Sequence, residues 1–330
     1  MKGNIRVVIT TKKLRYDLNL RRNITVIQGD SGTGKTTLVK IVEDYERDTS
    51  IPGIEVVCEK KCMVLSGNKE DCLERMKKAS QAVIFVDENE KFIHSKEFAR
   101  TVLESDCYFV FVTREKLDML PYSVEEIYQL RNSGYYQNTK QIYNEMQQIY
   151  PNRIGEDVLL PTVVLTEDSN AGYQMYSELL ENAHVPCVSA YGKSNIAKWI
   201  LLHKEESVFA IVDGAAYGAD MEETMRALRI NKSSFVWTPE SFEYLIMKSE
   251  IVQGSGWKDI LESPGEYIES KEYPSWERYF TRRLEEETAN TVYEYSKNKI
   301  NQKYLTKGNM DRFKSVLPGI LKRIVSDNNE

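Results

Sequence analysis

The stretch VIQGDSGTGKTTL, Val26–Leu38, constrains the fold of this chain more strongly than any other part of the sequence. It begins as an apolar run typical of a buried strand and ends as a run typical of a helix, with three glycines in between. Glycine tolerates the positive φ angles of a tight turn, and such a turn points several backbone N–H groups inward. The stretch therefore predicts a strand, a turn lined with N–H donors, and a helix that begins at Lys35.

The same stretch matches the pattern G-x-x-x-x-G-K-[ST] in full, which is typical of loops that bind nucleotide phosphates. We expect the Lys35 ammonium to reach the β- and γ-phosphates and the Thr36 hydroxyl to ligate Mg2+, with the positive end of the helix dipole facing the phosphates. ATP and Mg2+ are the expected cofactors, and the choice between ATP and GTP stays open. The predicted nucleotide-binding residues are Gly29, Asp30, Ser31, Gly32, Thr33, Gly34, Lys35, Thr36 and Thr37.

Two later apolar strands end in residues suited to hydrolysis. AVIFVDE predicts a buried strand followed by two acids, of which Asp87 is the candidate Mg2+ ligand and Glu88 the candidate general base for the attacking water. Glu88 and Lys35 are thus the predicted catalytic residues. The next strand ends in VFVTRE, where Thr113 and Arg114 either sense the γ-phosphate or are ordinary strand-end residues.

These motifs and the lead-in strands before them resemble the ABC-type ATPases, in particular the stand-alone kind of SMC-like and overcoming-lysogenization-defect (OLD) proteins, over roughly residues 1–130. The resemblance implies a P-loop NTPase fold, ATP hydrolysis and a homodimer that closes over ATP. The chain departs from the family in two places. LSGN at residues 65–68 follows the phosphate loop too closely for the family's signature insertion, so we interpret it as a strand-to-helix turn, and no histidine follows the strand that ends near Val112.

Uninterrupted apolar strands that alternate with helices predict an α/β fold with a mostly parallel sheet. We expect a P-loop domain over residues 1–135, in which residues 53–66 form a strand pair, and a polar, tyrosine-rich linker helix over 136–157. A second α/β domain of βαβαβαβ pattern is expected over 158–245. A mainly helical extension is expected over 246–330, with residues 275–300 its longest helical segment.

Two strands of the second domain end in acids, because Glu167 follows VVLT and Asp213 follows FAIV. This arrangement resembles the Toprim domain of topoisomerases, primases and OLD-family nucleases, which implies that Glu167 and Asp213 hold Mg2+ for phosphodiester chemistry. The chain departs from the family's D-x-D pattern because position 215 is alanine. The alternatives are a site without metal, or substitution by nearby acids: Asp220, Glu222 and Glu223, with Glu240 and Glu243 after the fourth strand.

Composition excludes several classes of protein. The formal net charge of −6 argues against a whole-protein field that attracts nucleic acid, so such binding would need a local basic patch. The segment SWERYFTRRLEEE is basic in part, but the acids beside its arginines favour an ordinary solvated helix face.

No apolar run approaches the length of a membrane span, and no signal peptide is evident. Five cysteines without regular spacing are typical of reduced thiols in a cytoplasm, and CEKKC is interpreted as packed thiols rather than a zinc site.

Three functions are compatible with these features. The first is an ATP hydrolase whose ATP state controls a Toprim-like domain, a metal-dependent nuclease that acts on nucleic acid in phage or mobile-element biology. The second is a nucleotide-dependent switch or binding module that docks a partner protein and has no nuclease activity. The third, a small-molecule kinase, ranks last because no arginine-rich lid is evident between the phosphate loop and Asp87.

Overall fold

The chain divides into two units in a computed structural model that describes residues 2–29, 33–135, 137, 139–151 and 160–326. The first unit comprises Met1–Pro151 with Ser263–Pro274, and the second comprises Asn152–Glu262 with Ser275–Glu330. Each unit is built on its own β-sheet, so each buries a separate core. Within these described ranges, no helix is long and apolar enough to span a membrane.

The first unit is an α/β structure around a nine-stranded sheet of order β4-β1-β2-β9-β8-β3-β7-β6-β5. Its strands are β1 (Ile5–Thr11), β2 (Leu14–Leu20), β3 (Ile24–Gln28), β4 (Ile54–Val57), β5 (Cys62–Leu65), β6 (Val83–Asp87), β7 (Tyr108–Val112), β8 (Ile127–Tyr135) and β9 (Ile142–Gln148). Its first three helices are α1 (Lys35–Arg47), α2 (Lys69–Lys78) and α3 (Lys96–Glu104). The strands from β8 to β5 run parallel, whereas β1 is antiparallel to both β2 and β4.

Helix α1 is the centre of this unit. Its apolar residues Leu38, Val39, Ile41 and Val42 recur at helical spacing and are buried against the sheet. The helix contacts β5, β6 and β7, and it also contacts β4. Because β4 and β5 are the two edge strands of the sheet, contact with both means that the sheet curls around α1. The chain before the phosphate loop is thus a buried strand, and the chain after it is a helix that packs inside the curl of the sheet.

Strand order brings three strand ends to the edge where the phosphate loop leaves β3. Strand β7 lies between β3 and β6, and Val112 aligns with Ile27 on one side and with Asp87 on the other. The carboxyl ends of parallel strands share one edge of a sheet. The residues that follow these strands, from Gly29, Thr113 and Glu88 onward, therefore start from neighbouring points.

Two predictions about the first unit are wrong. Strands β4 and β5 do not pair with each other as the sequence suggested, because they lie at opposite edges of the sheet. The helix predicted over residues 136–157 is absent over 142–148, where β9 pairs antiparallel with β8 and parallel with β2. Both sides of β9 are occupied by strands, and this backbone pairing outweighs the weak helical pattern of its polar residues. Residues 136, 138 and 152–157 of that predicted helix lie outside the described residues.

The second unit has a four-stranded parallel sheet of order β11-β10-β12-β13. Its strands are β10 (Val163–Thr166), β11 (Cys187–Ser189), β12 (Val208–Ile211) and β13 (Phe235–Trp237). The connecting helices are α4 (Ala171–Leu180), α5 (Ile196–Leu202) and α6 (Gly218–Ile230). The second strand, β11, lies on one side of β10, and the later strands β12 and β13 lie on its other side. The order of strands therefore reverses between β10 and β12, and such a topological switch point is the usual ligand site of parallel sheets.

The remaining helices are α7 (Phe242–Lys248), α8 (Trp257–Glu262), α9 (Pro264–Tyr267), α10 (Trp276–Thr288), α11 (Lys307–Ser315) and α12 (Gly319–Ser326), of which α9 belongs to the first unit. The predicted long helix over 275–300 ends early, at Thr288. There the Thr288 hydroxyl donates to the Leu284 carbonyl at 2.8 Å and accepts from the Tyr295 amide at 2.9 Å, which turns the chain back. The segment between α10 and α11 is thus a set of turns.

Candidate functional site

Two glycines of the phosphate loop, Gly29 and Gly34, have the backbone geometry that the motif predicts. Gly29 and Gly34 have φ angles of 127° and 86°, in the region that favours glycine. A side chain at Gly34 is disfavoured by the positive φ angle and also by Tyr16. The Tyr16 hydroxyl donates to the Gly34 carbonyl at 3.1 Å, and a Cβ at Gly34 would lie 3.0 Å from that hydroxyl oxygen. Tyr16 comes from β2, and sequence reasoning missed its contact with the loop. Asp30, Ser31 and Gly32, which were predicted to bind the nucleotide, lie outside the described residues.

Lys35 is the first residue of α1 and is buried. Its ammonium donates to the Gly29 carbonyl at 2.6 Å and to the Thr33 hydroxyl at 3.1 Å, so the side chain folds back across the loop. These two bonds place the ammonium beside Gly29, directly after β3, where the motif predicts the β- and γ-phosphates.

The start of α1 carries no negative charge of its own. Its N-cap residue, Gly34, has no side chain, and the first turn of the helix contains no acidic residue. Thr36 and Thr37 are exposed in that turn. The positive end of a helix dipole attracts negative charge. The predicted positions of Thr36 and Thr37 in a phosphate and Mg2+ site agree with this exposure.

Asp87 lies at the end of β6 and is half-buried. Burial raises the pKa of its carboxyl, while the Glu88 amide, which donates to Oδ1 at 2.8 Å, and the charge of Lys35 act in the opposite direction. Strand order brings the two residues to the same edge of the sheet, because β3, which leads to the loop of Lys35, and β6, which ends in Asp87, both flank β7. Their membership in one nucleotide site stays a prediction.

Glu88 follows Asp87 and is partly exposed, with its Oε2 atom 3.8 Å from Nε of Arg114. That distance permits a loose ion pair, so the carboxylate can turn towards a ligand. Arg114, which follows strand β7, therefore lies beside Glu88, the predicted base. Thr113, by contrast, is buried, and its hydroxyl accepts the Glu115 amide at 2.9 Å, which is the bond of an ordinary turn.

Glu90 is a neighbour of this site that sequence reasoning missed. Its Oε1 atom accepts the Gly67 amide at 3.4 Å. Burial raises the pKa of the Glu90 carboxyl, and the negative charges of Asp87 and Glu43 raise it further. The position of Gly67 also explains LSGN: β5 ends at Leu65, and Asn68 caps α2 by accepting the Asp71 amide at 2.8 Å. LSGN is therefore a strand-to-helix turn, as predicted.

The second unit brings Glu167 and Asp213 together at its switch point. Both line one cleft that lies beyond the carboxyl ends of β10 and β12. Asp213 Oδ1 accepts the Phe242 amide at 3.2 Å, while the Oε1 atom of Glu167 is buried without a hydrogen-bond partner. The cleft also contains three residues from later parts of the chain: Glu243, Tyr295 and Lys297.

The carboxyl groups of this cleft favour their neutral forms. Burial raises the pKa of Glu167 to about 8, and the charge of Glu277 contributes. Burial raises the pKa of Asp213 and of Glu243 as well. Burial alone would lower the pKa of Lys297, but Glu277, Glu243 and Asp213 outweigh it, so that this pKa rises and the ammonium persists.

Of the acids that could replace the missing partner of Asp213, Glu243 lines the cleft, whereas Asp220, Glu222, Glu223 and Glu240 are not among its lining residues. Asp220 is buried and pairs with Lys193 at 3.7 Å, and Glu222 pairs with Arg226 along α6. Within the described residues, no group of three or more His, Cys, Asp or Glu side chains is placed to hold a metal ion. Cys58 and Cys62 are free thiols, and their interpretation as packed thiols rather than a zinc site stays a prediction.

The stability of the second unit should fall as the pH rises from 5 to 8. Because the folded pKa of Glu167 is above the unfolded value, its proton stabilises the fold fully below about pH 4.5 and this contribution is lost as the pH passes 8. Each such proton changes stability by up to about 1.4 kcal/mol per pH unit. Thermal unfolding from pH 5 to 8 should give a flatter profile for Glu167→Gln than for the unmodified chain. Glu178→Gln, an exposed change on α4, should leave the profile parallel to that of the unmodified chain.

The basic part of α10 is an ordinary helix face, as predicted. Arg282 and Arg283 pair with Glu286 and Glu287 at 2.7 and 2.8 Å, one helical turn away. Phe280 and Leu284 are buried on the opposite side. The arginines are thus matched by acids of their own helix, and the pattern gives no support to a nucleic-acid surface there.

Residues 25–106 match the family model described as ATPase family associated with various cellular activities (AAA). The matched range begins in β3 and ends after α3, so it contains the phosphate loop, Lys35, Asp87 and Glu88. No curated protein matches the chain. The match and the mostly parallel sheet show that the first unit contains an ATP-binding P-loop ATPase domain. The resemblances to OLD and SMC-like proteins and to the Toprim domain stay predictions.

Proposed function

We propose that the chain is a Mg2+-dependent ATP hydrolase whose ATP state controls its second unit. The observation that carries the proposal is that Lys35, which begins α1 after β3, and Asp87, which ends β6, belong to strands that both flank β7 at the carboxyl edge of the first sheet. A cation for the phosphates and a carboxylate for Mg2+ are the two charges that phosphoryl transfer requires. The AAA match over the same residues supports the assignment.

Each residue has a defined role in this proposal. The N–H groups of the loop, from Gly29 to Gly34, and the Lys35 ammonium bind the β- and γ-phosphates. Thr36 and Asp87 hold Mg2+, which neutralises the charge that develops on the phosphoryl oxygens. Glu88 orients the attacking water and accepts its proton. The partial exposure of Glu88, and its loose contact with Arg114, support a carboxylate that is free to reach water.

The second unit has two candidate roles, a metal-dependent nuclease and a binding module that docks a ligand or partner. A nuclease would need Glu167 and Asp213 ionised around Mg2+, but burial holds both carboxyls towards the neutral form. Lys297 places an ammonium in the same cleft, where it supplies the positive charge that a metal would otherwise supply. These observations favour the binding module. A homodimer that closes over ATP is a further part of the proposal and follows from the ABC-type resemblance alone.

Incubation of the purified chain with ATP and plasmid DNA, with and without Mg2+, tests both parts of the proposal. We expect phosphate release that stops when Mg2+ is removed with a chelator, because Asp87 and Thr36 act through the ion. We expect the plasmid to remain uncut in Mg2+ or Mn2+, with or without ATP. Release of phosphate and nicking of DNA are measured in the same tubes.

Each outcome has a separate meaning. Phosphate release that is unaffected by the chelator would remove the Mg2+ role of Thr36 and Asp87. DNA cleavage that disappears in a Glu167→Ala, Asp213→Ala variant would instead establish the nuclease and exclude the binding module. Cleavage that survives in this variant would come from elsewhere and would leave neither assignment of the cleft standing.

A further inference from the structure

The cleft of the second unit is built from four separate parts of the chain. The ends of β10 and β12 supply Glu167 and Asp213, α7 supplies Glu243, α4 supplies Tyr176, and the turns after α10 supply Tyr295 and Lys297. These parts are fixed relative to one another. Tyr295 donates to Glu243 Oε1 at 2.9 Å, and the Lys297 carbonyl accepts the first amide of α4, from Ala171, at 2.9 Å.

Three oxygen atoms along this cleft are buried and have no hydrogen-bond partner: Glu243 Oε2, Tyr176 Oη and Glu167 Oε1. Glu243 is 1% exposed and Tyr176 is 3% exposed, so bulk water does not satisfy them. Buried polar atoms without partners are costly, and their presence in a folded protein calls for a ligand that supplies the missing bonds. All three can accept a hydrogen bond, and the two carboxyl groups accept most strongly when they are ionised, so a positively charged donor would satisfy all three and favour loss of the carboxyl protons.

The charged groups around the cleft indicate whether the missing ligand is positively or negatively charged. Glu167, Asp213 and Glu243 line it, and Glu277 lies within electrostatic reach of all three, against the single ammonium of Lys297. Lys297 is already paired with Glu277. A second positive group would therefore favour the ionised forms of these carboxyls, which burial alone shifts towards the neutral forms by raising their pKa.

The walls of the cleft indicate an organic cation. Tyr173, Tyr176 and Phe242 line it, and the ring centroids of Tyr176 and Phe242 lie 6.1 Å apart, which fixes the aromatic wall. Aromatic faces favour ammonium groups and the carbon chains attached to them. A divalent metal would prefer a shell of oxygen ligands, and the described residues contain no group of three acids placed for one.

We propose that this cleft binds the primary ammonium group of a small amine, with Glu243 Oε2, Tyr176 Oη and Glu167 Oε1 as its three acceptors. An alkylammonium group has three N–H donors, one for each unpartnered oxygen. The carbon chain of the amine lies against the aromatic wall. The inference rests on the binding-module role of the second unit and names its ligand class, while it does not depend on ATP hydrolysis.

Titration of the full chain with 1,5-diaminopentane, followed by isothermal calorimetry, tests the proposal. We expect saturable binding, no binding of the neutral analogue 1-pentanol, and no displacement of the amine by Mg2+. An alkylguanidinium without a primary amine, such as pentylguanidinium, should bind more weakly, because a planar fork presents its N–H donors differently from a tetrahedral ammonium group. Binding of Mg2+ alone, or no saturable binding of any amine, would overturn the proposal.

The Tyr176→Phe variant separates a binding role from a structural one. Loss of an unpartnered hydroxyl should raise the melting temperature by a few degrees, because a buried unpaired group is removed. The same change should weaken amine binding about 5- to 10-fold, because one of three acceptors is lost. The control Glu178→Gln, on the exposed side of α4, should alter neither quantity. A higher melting temperature with unchanged affinity would make Tyr176 a packing residue and overturn its assignment.

Lys297→Ala provides an independent test by chemical rescue. Removal of the internal ammonium should lower the melting temperature, since Glu277 and Glu243 lose their counter-charge. Ethylammonium chloride should restore it in a saturable manner, while sodium chloride at equal ionic strength should not. Equal effects of the two salts would show simple screening and would contradict a cation-binding cleft. ATP turnover, measured in parallel, shows separately whether the hydrolase proposal holds.

Discussion

Replacement of Glu88 by glutamine should reduce ATP hydrolysis by at least about 100-fold, the usual contribution of a general base, while ATP still binds. Glutamine keeps the size of the side chain and its contact with Arg114 but cannot accept a proton. The phosphate loop and Lys35 are unaffected, so the affinity for ATP should stay within about 2-fold, because those contacts to the phosphates remain. Single-turnover hydrolysis and equilibrium binding of a fluorescent ATP analogue measure the two quantities.

Glu90→Gln is the matched comparison, because Glu90 is a second carboxyl close to Asp87 with a raised pKa. If Glu88 is the base, Glu90→Gln should retain most of the activity. If instead Glu90→Gln loses hydrolysis and Glu88→Gln keeps it, the base has been assigned to the wrong acid. Loss of ATP binding in Glu88→Gln would place Glu88 in the binding of the nucleotide rather than in the chemical step.

The site of the first unit could be predicted because its parts are contiguous motifs joined by a simple rule of sheet geometry. Gly29 to Thr37 is one string, and Asp87 ends an apolar strand, so parallel strands alone bring the two to one edge. Tyr16 and Glu90 were missed because their roles depend on packing. Nothing in the local sequence of β2 shows that the Tyr16 hydroxyl reaches the carbonyl of Gly34.

The pairing of strands was predicted less well than their existence. β4 and β5 are close in sequence. β4 shows the alternating pattern of a strand, and β5 is a short apolar run that is buried. The sheet nevertheless curls around α1, and the two strands lie at its opposite edges. β9 was missed altogether. Its residues include Asn144, Glu145 and Gln148, which are poor signals for a strand, and its place between β2 and β8 is set by long-range backbone hydrogen bonds.

The cleft of the second unit was predicted in half. Glu167 and Asp213 follow from the βαβ pattern, because they end adjacent parallel strands. Tyr295 and Lys297 come from a segment that was predicted as helix and is instead turned back at Thr288. No periodicity places these two side chains beside Glu243, so the neutralising ammonium could be found only from the tertiary structure.

Replacement of Lys35 by alanine should lower the affinity for ATP by at least about 100-fold, equivalent to about 2.7 kcal/mol. The lysine supplies the positive charge at the loop, and a charge-assisted bond to phosphate contributes more than a neutral one. Loss of its bonds to Gly29 and Thr33 also removes a constraint on the loop, so hydrolysis should fall together with binding. Equilibrium binding of a fluorescent ATP analogue measures the effect at fixed salt and Mg2+ concentration.

Lys40→Ala is the control for this prediction, because Lys40 is exposed on the same helix α1 and carries the same charge. It should leave ATP affinity within about 2-fold, since an exposed lysine outside the loop contributes only a screened long-range field. Far-UV circular dichroism and thermal unfolding establish that both variants are folded. Equal losses of affinity in the two variants would mean that the net charge of α1, rather than the position of the Lys35 ammonium, governs binding. Undiminished affinity in a folded Lys35→Ala would instead require that the phosphates be held elsewhere than in this loop.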